Sequence, residues 1–301
     1  MQSRRLFLKL SLQLSALATV APHILSAHSS RKPFFKISLS EYSFQKSLKK
    51  GLFTHLEFPE KASKLFDLKA VDFGSVFFNG KENDSDYIKT LLQKCGDVSV
   101  KPQTIIIEEG ALSIASNTER NKSIDNFKRW VDVAKSLECH SISVNDAPKG
   151  NTGMSEKLMI QSLTTLCDYA QPLGLNILVR NSNTNPKPLA DVILGMKKIN
   201  LGSMPEFGRI KSNSGDKIDP YRNLEILANF GKVFIAKSYD FDAAGEETSI
   251  DYSKMITLVN AALYKEYISV QYEGKKLTEE QGIKATLDLL QKSADKIKSP
   301  Y

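Results

Sequence analysis

The sequence predicts an α/β fold consisting of a single closed (β/α)8 barrel. Three observations lead to this prediction. A short β-branched or aromatic run followed by an amphipathic helical stretch occurs eight times after residue 33. Most of the runs are apolar on both faces, as parallel strands covered by helices must be. No glycine-rich phosphate fingerprint follows the first strand and no linker divides the chain, which argues against a dinucleotide-binding fold and against a second domain.

Each unit begins with a recognisable strand. The strands are predicted, in order, at 34–44, 69–78, 101–110, 140–147, 176–180, 201–208, 232–241 and 266–274. Each is followed by a stretch with helical spacing, from "FPEKASKLFD" after the first to "TEEQGIKATLDLLQKSADKI" after the last. Eight units at this chain length favour closure of the sheet over an open, doubly wound arrangement.

The first 27 residues have the pattern of an export signal. "SRRLFLK" places paired arginines before a moderately apolar run, which ends in small residues at Ala27. The motif resembles a twin-arginine signal, so we expect a signal peptide at 1–27, a barrel at 28–301 and a periplasmic or exported protein. Because Leu25 is a poor residue at the −3 position, an uncleaved membrane anchor is the alternative. No other stretch is apolar and long enough to span a bilayer.

Charge and cysteine content argue against nucleic-acid binding and against a disulfide framework. The formal charge is +7, and Arg4, Arg5 and Lys9 of the predicted signal supply three of these charges. The remaining charge is spread along the chain without a basic cluster containing aromatic residues, so nucleic-acid binding is not expected. Cys95, Cys139 and Cys167 are odd in number and widely spaced, which predicts buried inert thiols, with one disulfide as the alternative.

The barrel assignment locates the candidate site, because catalytic groups of such barrels lie at the carboxyl ends of the strands. The polar residues at these ends are Glu41, Tyr42, Asp72, Glu108, Glu109, Asn145, Asp146, Arg180, Asn181, Glu206, Arg209, Lys237, Asp240, Gln271 and Glu273. His55 follows strand 1 on the same face, where a lone histidine is more often structural than functional. The end of strand 5 in "NILVRNSN" is unusual, since a buried strand stops in a permanent cation.

Several segments resemble the sugar phosphate isomerase/epimerase family of xylose-isomerase-like TIM barrels, in its exported form. These are "ISLSEYSF", "LEFPEKASKLFDLKAVDFGSVFF", "NFKRWVDVAKSLECHSISVN", "GSMPEFG", "AKSYDFDAAGEETSIDYSKM" and "YISVQYEG". The resemblance covers nearly the whole chain after the predicted signal. It implies a divalent metal, such as Mn, Zn, Co or Mg, held by strand-end residues, and proton abstraction next to a carbonyl or hydroxyl of a carbohydrate.

The sequence departs from the family where the metal would bind. Arg180 and Ser182 replace the Glu and His of the family's Glu-Asn-His end, and Glu206 and Arg209 replace the Asp and Asn of its Pro-Asp-Phe-Gly-Asn segment. Gln271 replaces the first Glu of the family's "EYEG" ending, and Val71-Asp72-Phe73 stands where a "VEY" segment is usual. An arginine has no lone pair for a metal and stays charged. We therefore predict no metal or other cofactor, with the Arg180 guanidinium in the metal's place, paired with Glu206 and supported by Asp72 or Glu273.

These departures leave three functional hypotheses open. The first is a metal-independent carbohydrate isomerase, epimerase or lyase with Lys237, Glu206 and Glu273 as the catalytic residues. The second is a non-catalytic protein that binds a sugar or an anionic sugar derivative. Its substrate-binding residues would be Arg180, Asn181, Asn145, Arg209, Gln271 and Asp72, together with Lys237. The third is an active isomerase with a re-sited metal, for example on Glu108, Asp72 and Glu206. In each case the expected partner is a small carbohydrate, and the sequence does not predict an oligomeric state.

Overall fold

The structure, a computed structural model, describes residues 32–146, 155–181, 185–208 and 219–297. The predicted signal at 1–27 and the residues Ser182 and Arg209 lie outside these ranges. All the elements below belong to one compact unit that starts at Pro33. Its strands are β1 Lys36–Ser40, β2 Ala70–Gly74, β3 Lys101–Ile106, β4 Ser141–Asn145, β5 Asn176–Arg180, β6 Leu201–Ser203, β7 Glu206–Phe207, β8 Phe234–Ser238 and β9 Tyr267–Tyr272.

The described strands form one parallel sheet of nine segments in the order β6-β5-β4-β3-β2-β1-β9-β8-β7. The sequence predicted eight strands, and the difference arises because the sixth is divided. The Met204 amide donates to the Val179 carbonyl of β5, whereas the Pro205 carbonyl accepts from the Ile235 amide of β8. The edge segments β6 and β7 are thus consecutive in the chain. The stretch between them hydrogen-bonds to β5 on one side and to β8 on the other.

Helices alternate with the strands along the described chain. They are α1 Gln45–Lys49, α2 Phe58–Phe66, α3 Ser85–Asp97, α4 Asn117–Ser136, α5 Glu156–Ala170, α6 Lys187–Met196, α7 Pro220–Leu227, α8 Tyr252–Ala261 and α9 Glu279–Asp295. The predicted helical stretches are therefore present, and the short α1 is an addition. No described helix is long and apolar enough to cross a membrane.

The local sequence explains where these helices begin and which side they bury. The side chains of Asp84 and Ser155 accept hydrogen bonds from the first-turn amides of α3 and α5, and Thr278 forms a capping box with Gln281 at α9. The buried face of α3 carries Ile88, Leu91 and Cys95, which is the i, i+3, i+7 spacing of one helix face.

Two apolar cores lie on the two sides of the sheet. The larger core, between strands and helices, includes Leu39, Phe73, Ile142 and Trp130. A second cluster consists of Ile106, Leu178, Met204, Val233 and Ile235, with Tyr42 packed against it. Its members come from strands or strand ends on one side of the curled sheet, so this cluster fills part of the barrel interior.

The cysteines are part of the core. Cys95, Cys139 and Cys167 are free, buried thiols, which confirms the prediction of buried thiols over the alternative of a disulfide. Burial raises the pKa of Cys95 and of Cys167 to about 12, which keeps both thiols protonated at neutral pH.

The rest of the interior is polar and contains Asp72. This residue is completely buried, and the Ser38 hydroxyl of β1 donates to its Oδ2 (2.5 Å). On the neighbouring strands the hydroxyls of Thr104 and Ser141 are 3.0 Å apart and equally buried. Asp72 was predicted at the substrate-binding mouth, and this placement is wrong. The residue lies at the centre of its strand rather than at its end, so its side chain enters the interior beneath the mouth.

Burial raises the pKa of the Asp72 carboxyl to about 6, although the bond from Ser38 opposes this. Because the folded-state pKa lies above the unfolded value, folding is favoured while the carboxyl is protonated. This contribution is lost as the pH rises from about 4 through about 6. The unfolding free energy of the wild type should therefore fall by about 2–3 kcal/mol over this range because of Asp72. In the Asp72→Asn variant this fall should be absent.

Urea unfolding at pH 4, 5, 6 and 7 measures this effect. The exposed Asp125→Asn variant is the matched control and should follow the wild type. Equal pH dependence in the wild type and Asp72→Asn would contradict the burial argument.

Candidate functional site

Arg180 ends β5 and crosses the mouth of the barrel to the segment after β3. Its Nη1 forms an ion pair with Glu108 Oε1 (2.7 Å), and its Nη2 donates to the Ile107 carbonyl (2.5 Å). The side chain is only 11% exposed, so it does not extend into bulk solvent. Burial alone would lower the pKa of Arg180, but Glu108 and Glu206 outweigh this effect and raise it.

The predicted ion pair between Arg180 and Glu206 is therefore wrong, because Arg180 pairs with Glu108 instead. The guanidinium hydrogen-bonds along β3, because the Ile107 carbonyl and the Glu108 carboxylate together satisfy two of its nitrogens. Glu206 stays close enough to act on Arg180 electrostatically while its own ion pair is made elsewhere.

That second ion pair is made by Lys237 of β8. The Lys237 ammonium lies 2.8 Å from Glu206 Oε2 and 3.8 Å from Glu273 Oε1. All three side chains are between 19% and 27% exposed, so they are partly screened from water but reachable. The three predicted catalytic residues thus lie together at the mouth.

Gln271 connects this group to β1. Its Nε2 donates to Glu273 Oε1 (2.5 Å), and its Oε1 accepts from the Ser40 hydroxyl (3.1 Å). On the other side, the parallel register places Lys237 of β8 opposite Gln271, and Glu273 lies between Gln271 Nε2 and the Lys237 ammonium. A line of polar groups therefore runs over four adjacent segments, from β1 through β9 and β8 to β7.

These residues form one site, which we call the mouth cluster. It consists of Ser40, Glu108, Arg180, Glu206, Lys237, Gln271 and Glu273. With every acid and base ionised, it carries two cations and three carboxylates, which leaves one negative charge in excess.

A glycine after β9 shapes one edge of the mouth cluster. A Cβ on Gly274 would lie 1.8 Å from the Tyr239 carbonyl oxygen and 2.3 Å from the Tyr272 hydroxyl. Only glycine allows this close approach of the segments that follow β8 and β9. The approach keeps Glu273 beside Lys237.

The other predicted binding residues have different positions. The Asn145 amide donates to the carbonyls of Glu108 (3.3 Å) and Gly110 (3.5 Å), so it braces the loop after β3. The Asn181 amide donates to Asn223 Oδ1 (2.7 Å) on α7. Neither belongs to the mouth cluster, and Arg209 lies outside the described residues.

Two residues of the mouth region have contacts that the sequence did not predict. Glu108 was expected only as a strand-end acid and as a metal ligand of the third hypothesis, yet it is the partner of Arg180. Tyr42 lies beside Glu108 and Arg180, and its hydroxyl is buried without a partner in the described chain. The signal for Glu108 was its position directly after the apolar run "TIII", which is the same signal that marked Arg180.

The carboxylates of the mouth cluster are paired with cations, an arrangement that does not suit a divalent metal. Arg180 and Lys237 are cations that offer no lone pair while protonated, and Gln271 is a neutral amide. Among the described residues no group of three or more His, Cys, Asp or Glu side chains is arranged to hold a metal ion. The charges present do not fit the metal that the family resemblance implied.

A parallel α/β barrel with a polar cluster at the carboxyl ends of its strands is characteristic of TIM-barrel proteins. The model of the xylose isomerase-like TIM barrel family matches residues 66–293, and the chain belongs to this family. No curated protein sequence matches the chain.

Solved structures with this fold include several sugar-converting enzymes. A D-psicose 3-epimerase from Clostridium cellulolyticum with D-tagatose is 10% identical, with a TM-score of 0.65 over 87% of this chain and 97% of that one. The 3-keto-D-glucoside 4-epimerase of E. coli is 11% identical, with a TM-score of 0.64 over 85% and 98%. A sugar phosphate isomerase/epimerase from Parabacteroides distasonis is 14% identical, with a TM-score of 0.62 over 87% and 96%. At these identities the likeness shows the fold.

The Arg180–Glu108 pair is expected to be coupled in stability. Arg180→Met removes the ion pair with Glu108 and the hydrogen bond to the Ile107 carbonyl, so we expect a loss of about 3 kcal/mol in unfolding free energy. Glu108→Gln in the same chain removes the carboxylate that had faced the guanidinium, so the double variant should lose less than the single Arg180→Met variant. Urea denaturation of the wild type, both single variants and the double variant measures the coupling.

The exposed Lys187–Asp191 pair of α6 serves as the control, since Lys187→Met should change stability by less than about 1 kcal/mol. Additive effects at Arg180 and Glu108 would show that the two side chains are not coupled.

Proposed function

We propose that this protein binds a neutral carbohydrate at the mouth cluster and does not carry out the metal-dependent isomerisation of its family. The observation that carries the proposal is the pair of largely screened cations, Arg180 and Lys237, each already matched with a carboxylate. The family and the sugar-converting enzymes with the same fold support a carbohydrate as the ligand.

The charge balance favours a neutral polyol over an anionic sugar derivative. The guanidinium of Arg180 is used by Glu108 and Ile107, and the ammonium of Lys237 by Glu206 and Glu273. The excess charge of the cluster is negative, so a sugar phosphate or sugar acid would be repelled. Sugar hydroxyls can donate to the carboxylates and accept from Lys237 and Gln271, since each hydroxyl serves in both roles.

The same geometry argues against Lys237 as a general base. Burial alone would lower its pKa, but Glu206 and Glu273 raise the pKa above its ordinary value of 10.5. The ammonium therefore stays protonated at neutral pH and can donate a hydrogen bond or a proton, but it cannot accept one.

The cations also oppose a divalent metal. At an effective dielectric constant of 20, a dication about 4 Å from one guanidinium is repelled by several kcal/mol. Two family carboxylate positions hold Arg180 and Gln271, so the residues that would offset this repulsion are absent from them. Loss of the metal would remove the Lewis acid of the family reaction while keeping the polar pocket. We propose that this function is carried out outside the cytoplasm, in line with the predicted 1–27 signal.

Ketose binding in the absence of metal tests the proposal. We expect D-tagatose, D-fructose or D-psicose to raise the melting temperature of EDTA-treated protein. Lys237→Met should weaken the binding at least about tenfold, because Glu206 and Glu273 become unpaired charges beside the sugar. Lys254→Met, at an exposed lysine on α8, is the matched control and should bind like the wild type.

Incubation of each sugar with the protein in D2O separates binding from catalysis. Recovery of unlabelled sugar would support the binding function. Deuterium at a sugar carbon in metal-free protein would instead favour a metal-independent isomerase, with a carboxylate such as Glu206 as the base. Stoichiometric Mn, Zn, Co or Mg retained after dialysis would refute the metal-free proposal.

A designed metal site provides a second test. Arg180→Glu combined with Gln271→Glu replaces a cation and an amide by two carboxylates next to Glu206. We expect this double variant to bind Mn2+, measured by calorimetry, while the wild type does not. Lys187→Glu combined with Gln291→Glu makes the same exchange on helix surfaces and should gain no affinity. A folded mouth variant without Mn2+ affinity would contradict the assigned positions.

A further inference from the structure

A second cavity lies outside the mouth cluster, next to the ends of β1 and β2. Its volume is 530 Å3, and its lining comes from the segments that follow these two strands and from Tyr87 of α3. None of its lining residues belongs to the mouth cluster. Phe77 lines the cavity and packs on Tyr42, with ring centroids 5.2 Å apart, so this ring pair borders the cavity on the side of Tyr42.

A buried histidine–carboxylate pair lies at this cavity. His55 Nδ1 is 2.7 Å from Glu41 Oε1, and the Gly74 amide donates to Glu41 Oε2 (3.1 Å). The two side chains are 4% and 0% exposed. The opposite edge of the imidazole carries Nε2, which is buried and has no hydrogen-bond partner among the described residues.

A buried nitrogen without a hydrogen-bond partner is unfavourable, so its retention beside a cavity indicates a ligand that completes it. When Nδ1 carries the ring proton and donates to the Glu41 carboxylate, Nε2 is an acceptor. When Glu41 is protonated and donates to Nδ1, the neutral ring carries its proton on Nε2, which is then a donor; this second arrangement holds one proton more than the first. A hydroxyl group satisfies both arrangements, whereas a carbonyl or an ammonium satisfies only one.

The walls of the cavity favour a flat ring. Phe53, Phe77, Phe78 and Tyr87 all line it. The His55 ring lies 4.5 Å from Phe78 and 6.0 Å from Tyr87, and it is nearly parallel to Tyr87 at 15°. Aromatic walls of this kind bind aromatic ligands through stacked and edge-on contacts.

The rim of the cavity is positive. Lys49 and Lys81 line it and are exposed, and neither has a carboxylate partner in the described part of the chain. The Lys81 ammonium lies over the Tyr87 ring, 4.9 Å from its centroid. Both cations are therefore available to an anionic group at the entrance.

From these three features we propose that the cavity binds a small aromatic carboxylate that carries a ring hydroxyl. The hydroxyl bonds His55 Nε2, the ring packs between Phe77 and Tyr87, and the carboxylate reaches Lys49 and Lys81. Since Nε2 is closed to bulk water, the hydroxyl reaches it through small movements of the surrounding side chains. This site differs from the mouth cluster in its ligand class, and its existence does not depend on the carbohydrate proposal.

Binding of 4-hydroxybenzoate to the full chain tests the site. We expect wild-type protein to bind it about fivefold more tightly than benzoate, which lacks the hydroxyl, and than methyl 4-hydroxybenzoate, which lacks the charge. Lys49→Met combined with Lys81→Met should weaken 4-hydroxybenzoate about fivefold and leave the methyl ester unchanged. Long-range 1H–15N spectra should show the His55 imidazole nitrogens moving on saturation, while those of His140 stay in place.

Controls make the result specific to this cavity. Lys187→Met combined with Lys254→Met removes two exposed lysines elsewhere, one of which also lies over a tyrosine ring, and should bind like the wild type. Lys237→Met should also bind 4-hydroxybenzoate normally, which separates this site from the mouth cluster. Absence of binding at 20 mM ligand, equal affinity for benzoate, or an unchanged His55 spectrum would each overturn the proposal.

Discussion

The ion pair between Arg180 and Glu108 sets the character of the barrel mouth. It joins the end of β5 to the segment after β3, and its guanidinium also binds the Ile107 carbonyl. A permanent cation so little exposed requires carboxylates around it, and Glu108 and Glu206 supply them. Lys237 repeats the arrangement on β8 with Glu206 and Glu273. At the mouth each cation is therefore matched with carboxylates from neighbouring segments, and one negative charge is left in excess. The occupied cations and the excess negative charge are the basis for proposing a neutral ligand.

The barrel beneath the mouth is divided between two kinds of packing. One part of the interior is apolar and is filled by Ile106, Leu178 and Ile235 with their neighbours. The other part carries Asp72 and the hydroxyls of Ser38 and Thr104, where hydrogen bonds replace apolar contact. A buried carboxyl with a raised pKa is compatible with folding because its protonated form needs less solvation. The interior beneath the mouth cluster is thus partly apolar and partly polar.

The sequence predicted most of the residues that meet at the mouth, but it did not predict which of them contact each other. Arg180, Glu206, Lys237, Gln271 and Glu273 each follow or end an apolar run, and parallel strands bring such ends together. The partner of Arg180 was missed because the choice between Glu206 and Glu108 depends on side-chain reach across the mouth. Asp72 was misplaced for a related reason, since one or two residues along a strand separate the rim of a barrel from its interior.

By itself, the sequence determined the alternation of strands and helices, the parallel sheet and the cation at the end of β5. These features follow from periodicity and from residue chemistry, which act locally. Only the tertiary structure decided which acid pairs with which base, where the sixth strand divides between β5 and β8, and that His55 meets Glu41. Such contacts join residues far apart in the chain, and they depend on register and burial. Neither quantity is encoded in any single segment.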